Sequence, residues 1–100
     1  MTARVVALDL DGVTDKAGLM ERCARDLRLP DWFGRNWDAL ADVLSDPGLW
    51  SGEGGGEETF VVVRHWERYA EARPQEWATA REVFAQASAV TVALALGGSS

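Results

Sequence analysis

Asp38, Asp42 and Asp46 recur at i, i+4 and i+8, a spacing that sets three carboxylates along one side of a helix, with Arg35 beside them. Trp37, Leu40, Val43 and Leu44 fall on the opposite side and form its apolar stripe. Like charges at i, i+4 cost about 0.2–0.5 kcal/mol in a free helix, and aspartate is a weak helix former. Local stability therefore does not account for this choice of residue. Just upstream, Trp32 and Phe33 follow Pro30-Asp31 in a segment read as an exposed turn. Aromatics fill pockets and carboxylates meet Arg or His, so this combination suits the docking of a basic protein with a groove. It equally fits a solvated helix face over two core aromatics, and these residues alone leave both readings open.

The other reactive residue types offer less. Cys23 and His65 are the single cysteine and the single histidine of the 100-residue chain. One cysteine forms no internal disulfide and no cysteine-cluster zinc site. Cys23 also falls on an apolar helical stripe, which suits a core thiol better than a nucleophile. His65 lies at a strand end with no metal-ligand spacing around it. The segment Gly52-Glu53-Gly54-Gly55-Gly56-Glu57-Glu58 has neither phosphate-loop spacing, and it carries the wrong charge for a phosphate. No catalytic set assembles, so no enzymatic activity, cofactor or metal is expected.

Charge narrows the partner further. The net charge is −6, and all of it is local. Acids and bases balance in residues 1–30 and again in residues 59–100. Residues 31–58 hold Asp31, Asp38, Asp42, Asp46, Glu53, Glu57 and Glu58 against Arg35 alone. Such a chain repels nucleic acid and anionic membranes. No segment reaches the roughly 20 apolar residues of a membrane span, and the amino terminus lacks a signal-peptide pattern. A cytoplasmic location is expected.

The elements that position these residues follow from three apolar runs, at residues 5–8, 60–63 and 90–96. They lack the alternation of half-exposed strands and read as strands of a parallel sheet buried on both faces. Leu19, Met20, Cys23, Ala24 and Leu27 mark a first helix, capped by Thr14 or Asp15 and stopped before Pro30. A second runs over about 34–45, with Asn36 as N-cap and Pro47-Gly48 as its end. A third covers Trp66 to Ala72, and Pro74 opens a fourth, which carries Trp77 and Phe84 on one stripe. The predicted architecture is a single α/β domain over residues 1–96, a three-stranded parallel sheet packed with about four helices. Residues 97–100 read as a flexible tail.

The run Leu8-Asp9-Leu10-Asp11-Gly12-Val13-Thr14 resembles the first motif of haloacid-dehalogenase-type phosphatases, in which a strand delivers two aspartates to a phosphate and Mg²⁺. That resemblance implies a second reading, a small phosphatase-like domain using Asp9 and Asp11. The family also needs a downstream lysine and a later acidic pair. The single lysine is Lys16, and residues 90–96 contain no acid. An Asp-Gly turn closing a strand is the simpler account.

A longer run, Leu27-Arg28-Leu29-Pro30-Asp31-Trp32-Phe33-Gly34-Arg35-Asn36-Trp37-Asp38-Ala39-Leu40-Ala41-Asp42-Val43-Leu44, closely resembles the signature of the barstar family, intracellular inhibitors of secreted bacterial guanyl-specific ribonucleases. The likeness extends more weakly over nearly the whole chain, including Val83-Phe84-Ala85-Gln86-Ala87. It implies a 1:1 complex with an extracellular bacterial ribonuclease and no catalysis. Asp42 would imitate an RNA phosphate in the enzyme's active site, and Asp38 would be a second anionic contact. Trp32 would be the aromatic anchor, with Phe33, Gly34, Asn36, Ala41, Ser45 and Gln86 completing the contact set. Three positions depart from the family's pattern. Ala41 stands where an aromatic is found, Gln86 where a glutamate is found, and Arg35 where an acid is found. These departures imply a different target ribonuclease, less basic or even acidic, or else weaker steering towards a very basic one. A third reading is a barstar-like module that binds some other basic protein.

Overall fold

A computed structural model describes residues 3–50 and 58–95. The Gly/Glu segment at 52–57 and the tail at 97–100 lie outside the described residues. The elements are β1 (Ala3–Asp9), α1 (Lys16–Asp26), α2 (Trp37–Leu44), α3 (Pro47–Trp50), β2 (Glu58–Arg64), α4 (Glu67–Ala72), α5 (Pro74–Gln86) and β3 (Thr91–Leu94). The three strands form one parallel sheet in the order β1-β2-β3. This is the α/β architecture expected, with one helix more than the four anticipated.

The extra helix is α3. Pro47 and Gly48 do end α2, but they also begin a new turn. The Asp46 carboxylate accepts from the Gly48 N–H at 2.9 Å, and proline is suited to a first helical position because its absent N–H is not missed. At α1 the two possible caps are resolved in favour of Asp15, whose side chain accepts from the Gly18 N–H at 2.8 Å.

The strands are not buried on both faces, as their apolar runs suggested. Side chains alternate along a strand, and the register sorts them. Val6, Val61 and Val92 share one face with Leu8, Val63 and Leu94, and this face carries the core. Val5, Phe60 and Thr91 share the other with Ala7, Val62 and Ala93. None of those six packs into the core cluster, and Val5 is 66% exposed. Among the described residues there are two layers, with the core on one side of the sheet only. A continuous apolar run cannot distinguish this from burial on both sides, because the residues that reveal it differ only in exposure.

The core on the covered face joins Leu8, Leu10, Leu19, Met20 and Cys23 to Leu40, Val43 and Leu44 of α2 and to Tyr69, Trp77, Ala80 and Phe84. Trp77 stacks on Trp66 at 5.3 Å and meets Tyr69 and Phe84 edge-on. Burial pushes the Cys23 thiol up to about 12, helped by nearby Asp26, as suits a structural cysteine. No described helix is long and apolar enough to cross a membrane.

Candidate functional site

The segment that leads into α2 is shaped by short-range bonds. The Phe33 N–H donates to the Pro30 carbonyl at 2.9 Å and closes a four-residue turn. That turn separates the two aromatics. Trp32, at a corner, is 66% exposed, whereas Phe33 is 3% exposed and belongs to the core. The expectation that both are exposed is therefore corrected for Phe33, whose ring anchors the turn from within. Gly34 follows where space is short. A Cβ there would lie 3.2 Å from Asn36 Nδ2 and 3.4 Å from Ala39 Cβ.

Asn36 caps α2 as predicted. It is extended, and its side-chain oxygen accepts from the Ala39 N–H at 2.7 Å. Arg35, just before it, adopts φ 55°, an unfavourable region for a residue with a side chain. Its guanidinium is held by the Glu21 carboxylate at 3.0 Å. The departure at Arg35 is thus internally compensated, because its charge is shared with α1. Trp37, half-buried, lies under the Lys16 ammonium at 5.8 Å, so the single lysine is occupied there.

Along α2, Leu40, Val43 and Leu44 are buried, while Asp38 and Asp42 are exposed and Ala41 is half-buried. Neither Asp38 nor Asp42 has an ion pair or hydrogen-bonded side-chain partner among the described residues. Asp46 differs from them, since its carboxylate serves α3. Of the three aspartates, two carry carboxylates with no partner among the described residues.

The far end of α2 is fixed by neighbours. The Trp50 indole N–H donates to the Val43 carbonyl at 2.7 Å, and the Ala89 N–H donates to the Leu44 carbonyl at 3.1 Å. Ser45 Oγ accepts from the Ser88 N–H at 3.3 Å. These bonds satisfy helix-end carbonyls and bring the connection after α5 alongside the end of α2. Gln86, the exposed last residue of α5, lies two residues before Ser88. The candidate residues therefore converge from the 30–36 turn, the outer face of α2 and the end of α5.

The family model described as barstar, barnase inhibitor, matches residues 3–94. The chain belongs to the barstar family. No curated protein gives a match. In this member of the barstar family, the match covers every element from β1 to β3.

Asp9 is engaged differently from the α2 aspartates. Its Oδ1 accepts from the Asp11 N–H at 3.0 Å and lies 2.8 Å from His65 Nδ1. Its backbone N–H donates to Asp26 at 2.9 Å, and its carbonyl accepts from Arg22 at 2.7 Å. The bond from the Asp11 amide and the bond from His65 hold the Asp9 carboxyl below its ordinary value of 3.8. The Lys16 ammonium lies over the Trp37 ring. The arrangement ties off the end of an edge strand, and Asp11 projects from the turn.

Sequence reasoning missed the parts of the site that come from elsewhere in the chain. Glu21, Trp50 and Ser88 support Arg35, the end of α2 and Ser45. None lies on the same element as its partner, so no periodicity within one helix or strand marks it.

Proposed function

We propose that this chain inhibits a barnase-like ribonuclease by placing α2 in its active site, with Asp42 in the position of an RNA phosphate and Asp38 as a second anion. The observation that carries the reading is the pairing of two unpartnered carboxylates, on a helix fixed at both ends, with the exposed indole of Trp32. Rigid presentation matters because ordering costs are met before binding. Opposite charge on the enzyme strengthens the contact and speeds encounter. Trp32 supplies apolar area next to the charges, as interface anchors do. Gly34, Asn36, Ala41, Ser45 and Gln86 complete the contact surface, and Phe33 serves it from the core. With Arg35 paired to Glu21, the site is less negative than one bearing an acid there. That supports a ribonuclease of moderate rather than extreme basicity. The complex is one inhibitor per enzyme, in the cytoplasm of a bacterium that secretes the ribonuclease.

The test is inhibition of RNA cleavage by a panel of barnase-like ribonucleases, with calorimetry on the pair that binds. Asp42→Ala should weaken that complex by about 3 kcal/mol or more, because the enzyme's cations are left buried and unpaired. Unchanged affinity for a folded Asp42→Ala variant sinks the assignment of Asp42. Binding of a basic protein without inhibition points instead to a recruited module.

A further inference from the structure

We propose that a recess beside Trp32 receives one basic side chain of the docked ribonuclease, with Asp31 as its counter-ion. This subsite rests on the inhibitor reading above and extends that contact surface by a third anion. The recess lies between α1 and the turn that leads into α2, and its volume is about 300 Å³. That is the lower limit of the roughly 300–1,000 Å³ of small-molecule sites, so it suits a single long side chain. Half-buried Ala24, Leu29 and Pro30 form its floor, and exposed Glu21, Arg25, Asp31 and Arg35 form its rim.

The floor is set by the way α1 ends. Arg28 adopts φ 55°, and the Leu29 N–H donates to the Ala24 carbonyl at 3.1 Å. A left-handed residue followed by this bond is the Schellman motif, which folds the next residue back onto the last turns of the helix. Leu29 is thereby set beside Ala24. Pro30 then begins the four-residue turn that the Phe33 N–H closes. Asp31 and Trp32 are the two central residues of that turn, and both are exposed. The recess is therefore continuous with the aromatic anchor of the docking surface.

Charge selects the occupant. The rim carries two cations and two anions, but both cations are already matched. Arg35 Nε lies 3.0 Å from the Glu21 carboxylate, and Arg25 Nε lies 2.8 Å from that of Asp26, which is not part of the recess. Asp31 has no ion pair or hydrogen-bonded side-chain partner among the described residues. The charge left over is one carboxylate at the edge of an apolar floor. Arginine and lysine match that combination, because their aliphatic stems cover apolar surface while the charged head reaches beyond it. A partner basic enough to engage Asp38 and Asp42 presents such side chains.

The test uses a ribonuclease that the chain inhibits, with Asp31→Asn as the variant. Asparagine tolerates the same turn positions, so folding is kept. Kd should rise about tenfold, through faster dissociation, because a hydrogen-bonded ion pair is lost from a desolvated contact. Replacing the enzyme's arginines and lysines around its active site by alanine, one at a time, should reveal one whose effect is not additive with Asp31→Asn. An unchanged Kd overturns the subsite. So does a change confined to the association rate, which means that Asp31 acts only through the long-range field. Asp42→Ala, measured alongside, reports on the inhibitor reading separately. The free chain gives a second arm that needs no enzyme. In an NMR titration with N-acetylarginine methylamide, at concentrations on the order of 10 mM, the amide signals of Ala24, Leu29 and Trp32 should shift in the parent and stay in place in Asp31→Asn. N-acetylleucine methylamide should leave them unmoved. Signals that do not shift, or that shift equally in the variant, overturn the subsite. If no ribonuclease is bound, the inhibitor reading fails, and this titration alone decides the recess.

Discussion

Trp32 and Phe33 are neighbours of the same chemical kind, yet the turn that closes between Pro30 and Phe33 gives them opposite duties. Replacing each by alanine should therefore produce opposite results. Phe33 is 3% exposed, so Phe33→Ala removes a buried ring and leaves a cavity, at a cost of about 3–5 kcal/mol. Against the roughly 5–15 kcal/mol expected for a domain of this size, that is a large fraction. Trp32 is 66% exposed, and Trp32→Ala should change folding stability by less than about 0.5 kcal/mol. Its contribution lies in the complex. An aromatic side chain carries about 150–250 Å², so the exposed two-thirds amounts to roughly 100–165 Å². At about 25 cal/mol per Å² its burial supplies some 2.5–4 kcal/mol. That corresponds to about a hundredfold to a thousandfold in affinity. Urea unfolding followed by circular dichroism gives the stability arm, and it needs no partner. Titration of an inhibited barnase-like ribonuclease gives the other. The reasoning is refuted if Trp32→Ala unfolds the domain while binding survives, or if Phe33→Ala is as stable as the parent.

Asn36→Ala should cost about 1 kcal/mol in urea unfolding, with Asn36→Asp retaining most of the stability; an unaffected alanine variant would show that α2 needs no cap. Asp42→Ala should raise stability by roughly 0.3–1 kcal/mol, because it removes an anion from the last turn of α2 and a like charge four residues from Asp38. A lowered melting temperature would mean that Asp42 has a structural partner. Asp9 and Asp26 should together shape the acid limb. The Asp11 amide and His65 lower Asp9; burial alone would raise Asp26, but Arg25 and the Asp9 amide outweigh it and lower that group too. The unfolded chain therefore takes up these protons first. Stability is fully present above 3.8, is lost as pH falls through the lowered folded-state values, and should decline less steeply in Asp9→Asn. Cys23 should stay inert to a thiol reagent at about pH 8 in the native chain and react in urea; rapid native labelling would contradict its burial.

Whatever depends on neighbours three or four residues away was legible in the sequence. The Asn36 cap, the buried Leu40-Val43-Leu44 stripe and the outward Asp38-Asp42 pair all follow from spacing on one short helix. The parallel sheet followed from three apolar runs, but its uncovered face did not, since Val5 and Val6 are chemically identical and differ only in which layer they meet. The inward ring of Phe33 depends on turn geometry that one residue of shift would reverse. Asp46 looked like a third interface carboxylate until a one-turn helix claimed it. The compensation of Arg35 by Glu21 joins residues fourteen apart on different elements, and only the assembled fold brings them together.

The same separation of local from assembled effects explains how α2 can carry its aspartates at all. Taken alone, eight residues are too few for a stable helix in water. Repulsion between Asp38 and Asp42, and the unfavourable dipole at Asp42, together cost on the order of 1 kcal/mol. The Asn36 cap offsets about that much. The surplus comes from the fold. Three fully buried apolar side chains contribute about 1.5–3 kcal/mol each, and the bonds from Trp50 and Ala89 to the last carbonyls add about 0.5–1.5 kcal/mol each. These terms exceed the local penalties severalfold. The outer face is thereby relieved of any duty to stabilise the helix, and its carboxylates can remain unpartnered. A free helix would select against Asp42. Clamped at both ends, α2 can keep that charge facing outward for a partner to neutralise.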